Sequence, residues 1–114
     1  MSDCLFCAIV AGGIPADVVH SDDEVLAFRD VNPQAPVHVL VIPKAHHATA
    51  AELAAADPAL AGRLLEAAGT IAAREGVDES GYRIVTNTGE SAGQSVHHVH
   101  FHVLGGRALT WPPG

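Results

Sequence analysis

Val96-His97-His98-Val99-His100-Phe101-His102-Val103-Leu104 is the stretch around which the rest of this chain organises. Successive side chains of an extended strand point to opposite faces, so His98, His100 and His102 fall on one side and His97, Val99, Phe101 and Val103 on the other. One face is core, and the other is a row of imidazoles. Three alternate histidines alone fit a solvated stripe or a metal site as well as a catalytic one. The residues leading into the strand narrow the choice. Asn87, Gly93, Gln94 and Ser95 bring amide and hydroxyl groups together with a glycine-rich backbone able to lie close to phosphate oxygens.

Working outward, Val37–Ile42 is apolar apart from His38, the pattern of a central, buried strand whose histidine must find a partner or line a cleft. Two prolines in Asp30-Val31-Asn32-Pro33-Gln34-Ala35-Pro36 forbid helix and fix the entry to that strand. Val18–His20 and Glu24–Phe28, separated by Ser21-Asp22-Asp23, read as a hairpin with an acidic turn. Asp3 caps a short helix through Ala11, ended by Gly12 and Gly13, with Leu5, Phe6 and Ile9 as its buried stripe. Thr49-Ala50-Ala51-Glu52 has capping-box spacing, and Asp57-Pro58 repeats the start signal. A helix then runs to about Glu75, with Leu60, Leu64, Ala68 and Ile71 on its apolar face. Tyr82–Asn87 supplies a fourth strand and Val96–Leu104 the last. The expected fold is α+β: a five-stranded antiparallel sheet with a long central helix and a short N-terminal helix, as a single domain over residues 1–114 with an irregular tail at 105–114.

The composition agrees. With 114 residues, 48% hydrophobic but only 4% aromatic, the chain suits one globular domain with a thin core of small side chains. Six Lys plus Arg against thirteen Asp plus Glu give a net charge of −7, which repels a polynucleotide backbone yet leaves room for a mononucleotide held by a few local donors. Apolar stretches are interrupted well before bilayer length and the N-terminus has no positive leader pattern, so a soluble, cytoplasmic protein without membrane contact is expected. Of eight histidines, all but His20 lie in residues 37–47 or 96–102, where the chemistry should be.

Cys4 and Cys7 form a C-x-x-C at the start of the first helix, where i and i+3 share a face and the dipole lowers thiol pKa values. Structural zinc, a redox pair and two ordinary thiols all remain open. A redox pair normally follows a strand in a thioredoxin-like pattern, which is absent, and zinc needs two further ligands.

Gly93 through Arg107, Trp111-Pro112-Pro113-Gly114, Phe28 through His38, and Ile42-Pro43-Lys44 together resemble the histidine triad (HIT) superfamily, specifically its Hint branch, over residues 4 to 114. That resemblance implies a HIT-like fold, a homodimer, and an adenosine 5′-monophosphoramidase-like hydrolase that acts on purine nucleoside phosphoramidates or aminoacyl adenylates, releases AMP and uses no catalytic metal. By the same resemblance His100 is the nucleophile, His102 contacts and stabilises the phosphate, and His38 is a relay or orienting group. Asp30 accepts both ribose hydroxyls, a task that suits the paired acceptors of a carboxylate. Asn87 and Ser95 match phosphate-side or leaving-group contacts, with Gly93 and Gln94 in the same loop. Leu5, Phe6, Ile9, Phe28 and Val31 match the walls around the base, and Trp111 reaches the partner's site. Related proteins bind a structural zinc through positions that read here as Cys4, Cys7, His46 and His98, with His47 an alternative to His46; His98 is then a ligand and not an acid or base. His97 stands where many Hint proteins have Tyr, should point away from the triad, and is given no chemistry.

The chemistry is sound on its own terms. A neutral imidazole attacks phosphorus well and leaves well once protonated, which divides one hard displacement into two. The departing amine needs a proton, and N–H donors can stabilise the phosphoryl oxygens. A nucleotide sensor or scaffold that keeps the pocket is the alternative reading; the related Fhit branch, with Gln at the third triad position, is disfavoured by His102.

Overall fold

The computed structural model describes residues 4–114. Its centre is the strand around His38, here β3 (Val37–Pro43), of which every residue is buried. A hairpin of β1 (Val18–Ser21) and β2 (Val25–Arg29) pairs along one edge of it, and β5 (Phe101–Gly105) along the other, with β4 (Tyr82–Val85) outside β5. The sheet order β1-β2-β3-β5-β4 is antiparallel throughout. The hairpin turn is tied by Asp22, whose Oδ1 accepts the backbone N–H groups of Glu24 and Val25, each at 2.9 Å.

Period-2 alternation gives β3 two jobs. Val37, Val39 and Val41 face the helices α2 (Ala50–Ala56) and α3 (Pro58–Arg74) and join the larger core with Leu53, Leu60, Leu64, Ala68 and Ile71. Leu40 and Ile42 face the other way, onto Phe6 of α1 (Leu5–Val10), Leu26 and Phe28. His38 belongs to that second face, which α1 covers only in part. The open remainder is the cleft.

Each of the two start signals read from the sequence opens its own helix. The Thr49 hydroxyl accepts from Glu52 N–H at 3.2 Å and Asp57 Oδ1 from Leu60 N–H at 3.1 Å. Asp57 closes α2 and caps α3 at once, because Pro58 has no N–H to continue the first helix. The expected Asp3 cap lies outside the described residues; Cys4 occupies the cap position of α1, its Sγ accepting from Cys7 N–H at 3.3 Å. Of the stripe expected on α1, Phe6 is buried but Leu5 is 46% exposed, since Leu5 and Ile9, four apart, share the face turned to the cleft.

The last strand is shorter than its alternating pattern suggests. Residues 96–100 are irregular, and β5 begins only at Phe101. The cause lies across the sheet. Continuing the β3–β5 register beyond Val41↔Phe101 would set Val99 opposite Pro43, which has no N–H to give. The Pro43 carbonyl is taken instead by the His98 ring at 2.8 Å, and Val99 N–H turns to the His47 carbonyl at 2.7 Å. β4, expected to reach Asn87, stops at Val85, where its partner's extended stretch is nearly spent.

Gly105 lies hard against Val77, in the segment that follows α3: a Cβ there would sit 2.9 Å from Val77 Cβ and 3.0 Å from both its γ-carbons. Gly105→Ala should therefore cost about 1–3 kcal/mol by overpacking. In denaturant unfolding, Val77→Ala added to it should recover part of that loss relative to the sum of the single changes. A Gly105→Ala protein as stable as the parent would contradict the close approach.

Candidate functional site

The cleft beneath α1 is a cavity of about 380 Å³, large enough for a small ligand. Its walls are apolar: Leu5, Phe6, Ile9, Ile14, Pro15, Ala16, Phe28, Val31, Leu40 and Val96. Its polar groups are few, namely Arg29, Asp30, Ser95, His100 and His102. Phe6 meets Phe28 and His100 edge-on, with ring centroids 5.4 and 5.1 Å away, so one aromatic from α1 forms the wall and braces the middle histidine.

Hydrogen-bond partners fix which nitrogen of each histidine bears its proton. His100 Nδ1 lies 2.8 Å from the His98 carbonyl oxygen, and a carbonyl only accepts. The proton of neutral His100 is therefore on Nδ1, and Nε2 holds a free lone pair. His38 is the reverse case. The backbone N–H of Gln34 donates to His38 Nδ1 at 3.0 Å, which places the His38 proton on Nε2. That Nε2–H donates to His102 Nδ1 at 2.8 Å, leaving the His102 proton on Nε2. Two adjacent histidines on one cavity thus have opposite tautomers, one with a bare Nδ1 and one with a bare Nε2. His102 is neutral at physiological pH: it is pushed down to about 4 by burial, then by its neighbours His100 and His38, with Asp30 opposing. Burial also holds His38 below its ordinary value, again opposed by Asp30, whose Oδ2 is 3.4 Å from His38 Nε2.

Among the described residues two groups of side chains come close enough to hold a metal ion, and their tautomers separate them. In the first, His98 is fully buried and donates Nε2–H to Pro43, so its Nδ1 lone pair is free. That Nδ1 lies 3.5 Å from Cys4 Sγ, 3.6 Å from Cys7 Sγ and 3.2 Å from His46 Nδ1, while Cys7 Sγ is 3.3 Å from His46 Nδ1. Tetrahedral zinc with ordinary bond lengths separates its ligand atoms by roughly 3.3–3.8 Å. The donor set fits zinc, down to the outer hydrogen bond that orients the buried histidine. His46 is the second imidazole; His47 contributes its backbone carbonyl to Val99. Burial, then the neighbouring Cys4, push the Cys7 thiol up, against the lowering expected from a helix start. A raised thiol in a six-residue helix makes a poor redox nucleophile. In the second group, Asp30, His38 and His102, the Gln34 N–H occupies His38 Nδ1, so Nε2 carries a proton where a metal would need a lone pair.

The remaining residues singled out from the sequence are placed as follows. Ser95 lines the cavity near the triad, and Val31 stands fully exposed at its rim. Gln94 is buried with its amide engaged: Oε1 accepts from Gly89 N–H at 2.9 Å and Nε2 donates to the Ala48 and Val96 carbonyls at 2.8 and 3.2 Å. It staples the loop. Gly93, with φ of +90°, ends the short 3-10 turn Glu90–Ala92 and is not in the cavity wall. Asn87 and Trp111 line a separate recess with Arg83, Ile84, Val85 and Pro113, and Trp111 is 82% exposed. His97 is exposed. Leu40 and Arg29 were not among the candidates. Leu40 was within reach, since it shares the His38 face of β3; Arg29 is held by Glu75 at 2.6 and 3.1 Å, a pairing no local pattern announces.

Residues 11–109 match the model of the HIT domain family. The purine nucleoside phosphoramidase of Escherichia coli K12 is 44% identical over 94% of this chain and 90% of its own length. A 14 kDa zinc-binding protein of Brassica juncea is 47% identical over 98% of the chain and all of its own. Among solved structures, a HIT family hydrolase from Legionella pneumophila superposes with a TM-score of 0.95 at 51% identity, covering 98% of this chain and 100% of the other.

The depressed His102 has a consequence for stability. Between its ordinary 6.5 and about 4 the unfolded chain binds a proton there and the folded chain does not, so stability should fall as pH falls through that window. Urea unfolding across the window should show this slope, and His102→Gln should flatten it. An unchanged slope in the variant would mean that other groups set the acid limit.

Proposed function

From the premise that the chain belongs to the HIT domain family, we propose that it is a hydrolase cleaving the P–N bond of purine nucleoside 5′-phosphoramidates, of the adenosine 5′-monophosphoramidate type, and by the same attack the acyl P–O bond of aminoacyl adenylates, through a nucleotidyl-histidine intermediate. The observation that carries this is the opposed tautomers of His100 and His102 on one apolar cavity. The His100 Nε2 lone pair attacks the α-phosphorus as the P–N bond breaks and the departing amine gains a proton. Water then attacks the same phosphorus, the bond to Nε2 breaks, and AMP leaves. His102 Nε2–H and the Ser95 hydroxyl are the donors for the phosphoryl oxygens and the leaving group. The apolar wall takes the base, and Asp30, beside it, takes the ribose hydroxyls. Asn87, Gly93 and Trp111 stand outside this cavity; in a homodimer an exposed Trp111 is free to serve the other copy. What supports a second copy is that β4 ends the sheet with Tyr82 and Ile84 partly exposed. Among the described residues no helix is long and apolar enough to cross a membrane.

Zinc is the group we assign to Cys4, Cys7, His46 and His98, where it would tie α1 to the irregular segment before β5 and supply no catalysis. Purified without chelator, the protein should contain about one zinc per chain. Cys7→Ser should lose the metal and lower the thermal midpoint by roughly 5 °C or more. Metal-free protein of undiminished stability would remove the assignment.

For the reaction, His100→Ala should reduce turnover of an adenosine 5′-phosphoramidate on the order of 10³-fold or more while leaving AMP affinity within a few-fold, because the lost interaction belongs to the transition state. A variant turning over like the parent would overturn the nucleophile assignment. A parent that binds AMP and cleaves no phosphoramidate would favour the sensor reading.

A further inference from the structure

His38 owes its tautomer to one backbone group, the N–H of Gln34, and Gln34 sits in a loop without regular structure between two prolines. Such a loop needs outside support if one N–H is to stay on one ring nitrogen. Inside it, Asn32 N–H donates to Asp30 Oδ1 at 2.8 Å and Gln34 Nε2 donates to the Asn32 carbonyl at 3.0 Å. From outside, two contacts come from the segment that follows β5. Gly106, at φ of +89°, lies so close to Pro36 that a Cβ would stand 2.9 Å from Pro36 Cβ. Arg107 Nε–H donates to the Gln34 carbonyl at 3.0 Å.

Arg107 is exposed and, like Lys44, Arg74 and Arg83, pairs with no carboxylate within 4.0 Å among the described residues. Its guanidinium binds carbonyls: that of Gln34, and that of the adjacent Ala108 at 2.8 Å through Nη1. A guanidinium fixed by two carbonyls is a strut, and the far end of this one is the residue that sets the histidine relay.

We propose that Arg107 is a positioning residue for the relay: by holding the Gln34 carbonyl it keeps the Gln34 N–H on His38 Nδ1, and so keeps His38 and, through it, His102 in their Nε2–H tautomers. The chain of contacts runs Arg107, Gln34, His38, His102, cavity, and Arg107 itself does not line the cavity. This rests on the proposed use of the His102 Nε2–H in turnover.

The test pairs histidine side-chain nitrogen NMR with steady-state kinetics on adenosine 5′-phosphoramidate, for the parent, Arg107→Ala and Arg107→Lys, all well below their unfolding transitions. Arg107→Ala should turn His38 from a single Nε2–H form into a mixture of tautomers. It should lower kcat roughly 10-fold, as a misplaced group does, with KM within about twofold. Arg107→Lys, able to give one N–H to the same carbonyl, should restore most of both. An Arg107→Ala protein that is merely less stable, with parental tautomers and kcat, would reduce Arg107 to a staple of the tail and overturn the proposal. Should that variant not fold, the same two readouts on Arg107→Met, which keeps the aliphatic stem and removes every N–H donor, decide. If the parent cleaves no phosphoramidate, the proposed function fails, while the NMR arm still judges the positioning.

Discussion

The bond from His100 Nδ1–H to the carbonyl of His98 is the constraint from which the site follows. It frees the His100 Nε2 lone pair. It also removes the His98 carbonyl from any ladder, which is part of why residues 96–100 cannot complete a strand. The carbonyl can hold the imidazole only if it is itself held, and the His98 side chain does that from beneath: fully buried, it donates to Pro43 and turns its other nitrogen to Cys4, Cys7 and His46. One residue is thus buried ring at one end and orienting acceptor at the other. The cysteine–histidine cluster and the cavity are separate in chemistry, yet they share a backbone.

The same logic accounts for the two faces of β3. A strand packed only into the helix layer would have no use for a histidine, and one fully exposed on its second face could not suppress protonation. β3 lies between these limits, with Val37, Val39 and Val41 sealing one side and α1 covering part of the other. That partial cover leaves His38 and His102 dry enough to stay neutral and near enough to the cavity for His102 to reach a ligand.

Much of this was legible before any coordinates, and the parts that were not share a cause. Local signals were reliable: the Thr49 and Asp57 caps, the acidic hairpin turn, the apolar run of β3 and the face shared by Leu60, Leu64, Ala68 and Ile71 depend on neighbours in sequence. The alternation of His98, His100 and His102 separated them from Val99, Phe101 and Val103, which are core, but His97, assigned to the same face as these, is exposed because residues 96–100 are not extended strand. It misjudged where the strand begins, because that depends on Pro43, a residue more than fifty positions away across the sheet. Gln94 looked like a donor for phosphate because its type is right, but only the fold reveals three backbone partners already engaging its amide. Tautomers were out of reach altogether, since they rest on the Gln34 N–H and the His98 carbonyl, and backbone groups have no letter in a sequence.

The acidic balance, which disfavours a polynucleotide, fits a mononucleotide because of where the charges lie. Asp22 and Glu24 are taken by Arg63 and Glu75 by Arg29, so among the residues lining the cavity Asp30 is the one carboxylate, and the one cation, Arg29, is already committed. On the proposed mechanism the phosphate end therefore meets neutral donors, which bind it weakly. Attack by a His100 lone pair would then turn that ring cationic as bonding to phosphorus proceeds, beside oxygens that bear negative charge. Attraction would be created by the reaction itself rather than spent on the bound substrate, and an interaction that grows toward the transition state is the kind that raises kcat.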